Sequence, residues 1–228
     1  MQPFFILLLR VIKLDKEVVR SLVYKAFEQA YRENHYYDPS ELPDNILHVS
    51  ELTYCARKAF YQRRNPRPLS REKTVILSFG NAGHYFVEEY LEYPGLLKEL
   101  VGYIEVDEFE IHGQADLVLD DSIAEIKTVS RIPEEPFHHH LLQLNAYLKI
   151  FERSKGFLIY IDKRRGIIEV FEHTFDNNLW RELIERARRL YKALKENKEP
   201  EPEFSPLCRF CEFKDLCGVK EVIVIAKG

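Results

Sequence analysis

Asp116, Glu125 and Lys127 carry charge where apolar side chains are expected. They interrupt the stretch GQADLVLDDSIAEIKTV, residues 113–129, among Leu117, Val118, Leu119, Ile123 and Ile126. Strand side chains alternate faces, so Glu125 and Lys127 point the same way. Asp116 lies on the preceding strand, across a tight turn at Asp120-Asp121-Ser122, and can approach that face. Burying unpaired charges costs several kcal/mol each even after relaxation, in a domain whose whole stability is of order ~5–15 kcal/mol. A divalent cation removes the conflict: Mg²⁺ or Mn²⁺ prefers hard oxygen ligands, and the ammonium balances the remaining negative charge. An ion held by Asp116 and Glu125 would polarise a phosphodiester and lower the pKa of a water, with Lys127 orienting that water or offsetting charge that develops on the phosphate. A solvated hairpin with a surface Glu–Lys pair is the alternative.

The four cysteines form a second group. Cys208, Cys211 and Cys217 follow the pattern C-x-x-C-x(5)-C, and Cys55 stands alone far upstream. Structural zinc sites usually pair two short knuckles, and this chain has one. Three clustered thiolates and a distant fourth suit an iron–sulfur cubane equally well. Zinc and cluster both stay open on spacing alone.

A third group is cationic. Arg57, Lys58, Arg63, Arg64, Arg67, Arg71 and Lys73 face a single acid, Glu72, within residues 55–73. Such a run suits phosphate tracking along a single strand, with Arg57, Arg63 and Arg64 as the contacts. The interleaved Phe60 reads as core.

The elements that must position these groups follow from periodicity. Val18, Val19, Leu22, Val23, Phe27 and Tyr31 form one stripe of a helix over Asp15–His35. A helix over Val49–Arg64, with Ser50 as N-cap, places Cys55 on its inner face. Pro66–Lys73 reads as a connector, and another helix runs from Gly80 or Asn81 to Glu92. Strands are expected at Val101–His112, Ala115–Leu119 and Ile123–Val129, with Gly113 turning or bulging the chain. A helix over Phe137–Phe151 follows. Gly156–Asp162 and Ile167–Thr174 then make a hairpin around Arg164-Arg165-Gly166. Asn178–Asn197 is a long amphipathic helix, and Val222–Ala226 a terminal strand. His138, His139 and His140 splay apart on a helix and read as uncommitted polar surface.

The 228 residues, 46% hydrophobic with a net charge of −4, describe one folded domain rather than a disordered or uniformly nucleic-acid-coated chain. The opening apolar run, Phe4–Leu9, has no basic region before it and no small-residue cleavage site after it, and is too short to span a bilayer. The expectation is a cytoplasmic protein that does not engage a membrane, where cysteines are metal ligands or free thiols of the core rather than disulfides.

Taken with their order, these motifs resemble the PD-(D/E)XK nuclease superfamily, in its RecB-like branch. GQAD and EIK match its acidic motifs, although the Pro-Asp pair is absent. GNAGHYFVEEYL matches the segment bearing its metal-binding histidine, here His84, and QLNAY supplies Gln143 and Tyr147 of a Q-x-x-x-Y motif. The cysteine arrangement is similar to that of iron–sulfur nucleases of this branch, among them the CRISPR-associated exonucleases and the AddB-type repair nucleases; no G-x-x-x-x-G-K-[ST] helicase motif is present.

The resemblance implies an α/β fold with a mixed central sheet flanked by helices, and an iron–sulfur-tied lobe joining the chain ends. The N-terminal part would span 1–75, the nuclease core 76–176 and the C-terminal part 177–228. It implies Mn²⁺ or Mg²⁺ at His84, Asp116, Glu125 and Ile126, assisted by Lys127, and a [4Fe–4S] cluster on Cys55, Cys208, Cys211 and Cys217. Gln143 and Tyr147 would hold Lys127 or DNA. The implied activity is that of a single-strand DNA exonuclease, often acting from the 5′ end, which prepares CRISPR spacers beside the integrase proteins. A homo-oligomer is compatible with it. The rival expectation is an accessory module that binds DNA ends without cutting them.

Overall fold

The computed structural model describes residues 15–33 and 38–217. The expected terminal strand and the opening apolar run lie outside those residues. Among the described residues six α-helices, α1 (Lys16–Glu33), α2 (Val49–Leu52), α3 (Ala56–Arg64), α4 (Arg71–Tyr90), α5 (His138–Ile150) and α6 (Asn177–Glu196), accompany six strands. The strands are β1 (Ile46–His48), β2 (Leu97–Val106), β3 (Phe109–Val118), β4 (Ser122–Val129), β5 (Lys155–Asp162) and β6 (Ile167–Thr174). They make one mixed sheet in the order β1-β3-β4-β5-β6, with β2 antiparallel to β3 along its whole length. The α/β class and the mixed sheet flanked by helices are as expected.

The decisive feature is a fork. β2 occupies one edge of β3, and β1 and β4 share the other: β1 pairs at 110–112, and β4 only at Leu117↔Ala124 and Val118↔Ile123. β4 then leaves β3 and pairs in parallel with β5 from Ser122 to Val129. The first residues past the last rung are Asp116 and Glu125, which therefore face each other where the strands part. The departure of β4 leaves the Ile126 N–H without a strand partner on that side. The Asp116 carboxylate accepts it instead, at 2.7 Å.

Helices lock the fork in place. α5 lies on the face that carries Leu158 and Tyr160, close enough that a Cβ on Gly156 would come within 2.8 Å of Leu144. α4 meets β4 through Gly83, where a Cβ would stand 2.5 Å from Thr128 Cγ2. This close approach delivers the next residue, His84, to the sheet. α6 buries Leu183, Ala187, Leu190 and Leu194, packing on α3 and α5.

Several boundaries differ from expectation, each for a local reason. The expected helix over Val49–Arg64 is two helices, because Cys55 is extended (φ −108°, ψ 130°) and serves as the N-cap of α3. Ser50 is not the cap of the first: Glu51 accepts the His48 N–H at 2.8 Å and starts the helix at Val49. α4 begins at Arg71, well before the expected Gly80 or Asn81, because Ser70 accepts the Lys73 N–H, so only the last three residues of the expected connector, Arg71–Lys73, are helical. Gly113 neither turns nor bulges the chain. The reversal is at Asp107 (φ 53°), and Gly113 lies inside β3, where a Cβ would come within 2.6 Å of the Tyr147 ring.

Candidate active site

Asp116, Glu125, Lys127 and His84 converge at the fork. His84 Nδ1 lies 3.4 Å from Asp116 Oδ2, and Lys127 Nζ donates to Glu125 Oε1 at 2.8 Å. Glu125 is 1% exposed, and its second oxygen, Oε2, is buried with no hydrogen-bond partner. A charged oxygen left bare in the interior is the most expensive state a carboxylate can occupy. The protonation equilibria register this. Burial, then repulsion from Asp116, pushes the Glu125 carboxyl up to about 7 against the pull of Lys127. Asp116 moves the other way: burial would raise it, but the hydrogen bond with His84 and the Lys127 charge hold it below the usual range. Burial would lower His84 and Lys127, and the neighbouring carboxylates outweigh it in both, leaving each raised.

One member was missed in the sequence. Glu88 stands one helical turn after His84, and ligand atoms of His84, Glu88 and Asp116 lie within 4.8 Å of one another. Its Oε1, 4.0 Å from His84 Nδ1, is also buried without a hydrogen-bond partner. Burial and a hydrogen bond shared with Glu99 push its carboxyl up to about 8. The i, i+4 spacing in HYFVE was the available signal. His84, Glu88 and Asp116 thus form a donor set of the kind a hard divalent cation takes, while Glu125, held by Lys127, stands outside that group with its second oxygen unsatisfied. Ile126 contributes no side chain to it, since that side chain is fully buried; only its backbone carbonyl could serve.

Surrounding groups differ from expectation. His138, His139 and His140 are not free polar surface: His140 Nδ1 meets the Tyr160 hydroxyl at 2.8 Å, and His138 pairs with Glu182 at 3.0 Å. Burial and the Lys127 charge push His139 down to about 4 and His140 lower still, so both stay neutral beside the ammonium. Gln143 donates to the Tyr147 hydroxyl at 3.0 Å, and Tyr147 is 3% exposed, its ring laid on Gly113. A buried ring offers DNA no surface. Tyr147 braces β3 three residues before Asp116.

The basic segment corrects the sequence reading most sharply. Arg63 is 4% exposed and is no phosphate contact: it binds Glu51 with Nε and Nη2 and the carbonyls of Pro43 and Ile46 with the rest of its fork. Arg64 holds Asp44 at 2.7 Å and the Leu194 carbonyl at the end of α6. Arg57 donates to the Pro200 carbonyl, Lys58 and Lys73 meet Glu212, and Arg67 meets Asp215. These cations tie the N-terminal helices to the C-terminal segment. Phe60 is buried, as expected for core.

All four cysteines line one cavity of about 330 Å³ between those tied segments, and all are free thiols. Burial raises the Cys211 and Cys217 thiols, and Cys217 feels each of the other three. Among the described residues no three of the sulfurs come within 4.8 Å of one another. Zinc, with Zn–S near ~2.3 Å, requires tighter gathering than that.

A sequence model of the PD-(D/E)XK nuclease superfamily matches residues 5–218. The chain belongs to that superfamily. Its members are nucleases that use divalent metals, and the fork supplies a fitting set of donors. Over 191 residues, 78% of this chain and 89% of its relative, the chain is 26% identical to the CRISPR-associated exonuclease Cas4 of Saccharolobus solfataricus. The solved structure of SSO0001 shares the fold with a TM-score of 0.68 at 23% identity, covering 88% of this chain and 98% of that one. A structure from Eubacterium rectale does so with a TM-score of 0.54 at 16% identity, covering 85% and 95%. This chain is thus a PD-(D/E)XK nuclease, and among its described residues no helix is long and apolar enough to cross a membrane.

Proposed function

We propose that this nuclease is a metal-dependent exonuclease of single-stranded DNA, acting from the 5′ end in CRISPR adaptation, in the cytoplasm and beside the integrase proteins. The observation that carries the catalytic part is the buried Glu125 Oε2, which has no hydrogen-bond partner, one residue past the last rung between β3 and β4, beside the gathered His84, Glu88 and Asp116. A domain that only held DNA ends would gain nothing from keeping that oxygen unpaired. A divalent ion there would polarise the scissile phosphate and activate water. Asp116, Glu125, His84 and Glu88 supply its ligands, with the Ile126 carbonyl alongside. Lys127, anchored by Glu125, is placed to hold the attacking water and to stabilise charge on the phosphate oxygens. The exonuclease mode rests on the similarity to Cas4.

In the same reading Cys55, Cys208, Cys211 and Cys217 hold a [4Fe–4S] cluster, whose irons accept thiolates farther apart than a single zinc ion does. The cluster is structural, since no cysteine is among the groups at the fork. Anaerobically purified protein should then be brown and contain about four irons per chain; a colourless protein with one zinc would overturn it.

The deciding experiment incubates purified protein with single strands labelled at either end, with Mn²⁺ and with chelator. Metal-dependent release of short products from the 5′-labelled end first is expected. Intact strands under every condition would leave only the end-binding alternative, and internal cuts or 3′-first release would correct the polarity.

A further inference from the structure

With the basic segment engaged by acids and backbone carbonyls of its own chain, cations without such partners are to be sought elsewhere. A cavity of about 350 Å³ lined by Ser130, Arg131, Arg164 and Arg165, and by no acid, opens at the far end of β4. β4 and β5 run parallel in register, Lys127 beside Tyr160 and Val129 beside Asp162. Both strands therefore deliver their C-terminal ends to this point, β4 into Ser130 and Arg131 and β5 into the turn before β6.

That turn is built rather than incidental. Asp162, 1% exposed, accepts the N–H groups of Arg164 (2.9 Å) and Arg165 (3.1 Å) and the Arg165 Nε (2.7 Å). The Lys163 N–H donates to the Val129 carbonyl at 3.1 Å, stitching the turn to β4. A buried carboxylate thus fixes the direction of a loop carrying consecutive arginines. Arg165 is partly neutralised by Asp162, but the guanidinium groups of Arg131 and Arg164 meet no carboxylate and no carbonyl among the described residues. This is the reverse of Arg63, each of whose three guanidinium nitrogens has a partner.

Lys127 precedes Arg131 by four residues, a Cα separation of at most about 14 Å, so a strand lying across the fork passes within reach of the cavity. We propose that this pocket grips a phosphate of the DNA strand beyond the cleavage point, with Arg131 and Arg164 as its principal contacts. The proposal rests on the DNA-nuclease reading above.

The test measures binding of fluorescent single-stranded oligonucleotides, with 5′-hydroxyl or 5′-phosphate ends, in chelator so that nothing is cut. R131A/R164A should bind on the order of tenfold more weakly, and its dependence of log K on log salt should be shallower by about 1.4, the share of two contacts on a single strand. R131K/R164K should recover most of the affinity, and the melting temperature of each variant should match the parent, because both side chains are exposed. Equal loss on both oligonucleotides identifies an internal phosphate, and loss confined to the 5′-phosphate form identifies the terminal one; either upholds the pocket. Unchanged affinity and salt slope on both overturns it, as does a parent protein that binds neither oligonucleotide. A parent that binds in chelator but never cuts with Mn²⁺ removes the nuclease reading while the binding comparison still judges the pocket.

Discussion

Arg63 and Lys127 are both cations held against buried glutamates, and their surroundings are opposite. Around Arg63 the guanidinium fork meets both Glu51 oxygens and two backbone carbonyls, and Glu51 also accepts the His48 N–H. Around Lys127 the ammonium meets one Glu125 oxygen, while the other stays bare and Glu88 nearby has a bare oxygen of its own. The first group is electrostatically closed and ties β1 to α2 and α3. The second is open, and its openness holds stability in reserve for a ligand. Density of charge in the sequence did not separate the two; the balance of donors and acceptors did.

The comparison can be broken from its closed side first. Arg63→Ala leaves Glu51 buried without its cation, and should lower unfolding free energy by about 3–5 kcal/mol in urea titration, while folded molecules cut DNA at the parental rate. If cleavage fell with stability intact, Arg63 would belong to the active site after all. On the open side, Lys127→Ala should slow cleavage of single strands by roughly 10²–10³ with DNA binding retained; normal turnover would remove Lys127 from the chemistry.

A third measurement sharpens the contrast through pH. Glu125 and Glu88 have folded-state values of about 7 and about 8, above the unfolded value near ~4.3. The folded protein therefore binds more protons than the unfolded chain between those values. The stability from this source is complete below the unfolded value and is lost as pH rises through the folded ones. In chelator, the melting temperature of the parent should fall relative to that of Glu125→Gln as pH rises from about 5 to about 8. Mn²⁺ should reverse the difference by stabilising only the parent. The smallest effect is expected at Arg64, whose pair with Asp44 is partly exposed: Arg64→Ala should cost about 0.2–1 kcal/mol, visible as a small shift in urea midpoint. A loss of DNA affinity without that shift would reinstate Arg64 as a phosphate contact.

The core of the site was legible because strand alternation is local. Two residues apart on β4, Glu125 and Lys127 must share a face, and a tight turn at Asp120–Ser122 brings Asp116 back alongside. The order of motifs added His84 and the superfamily. Glu88 went unread because an acid on a helix one turn from a histidine is commonplace until the neighbouring strands are in place. Gly113 was misread for a related reason: a glycine between strand-like segments looks like a turn, and only the Tyr147 ring, brought from α5, explains why it lies inside β3.

Residue types and short-range periodicity determined where strands and helices form, which carboxylates share a face, and that four thiols stand available for one site. Tertiary structure decided which charges are free. Arg57, Arg63 and Arg64 read as a DNA track because their partners, Pro200, Glu51, Asp44 and the end of α6, are scattered along the chain. Arg131 and Arg164 are separated in sequence and became a pocket only when β4 and β5 paired in parallel. A side chain's charge is written in its chemistry, but whether that charge is neutralised depends on distances the fold alone creates.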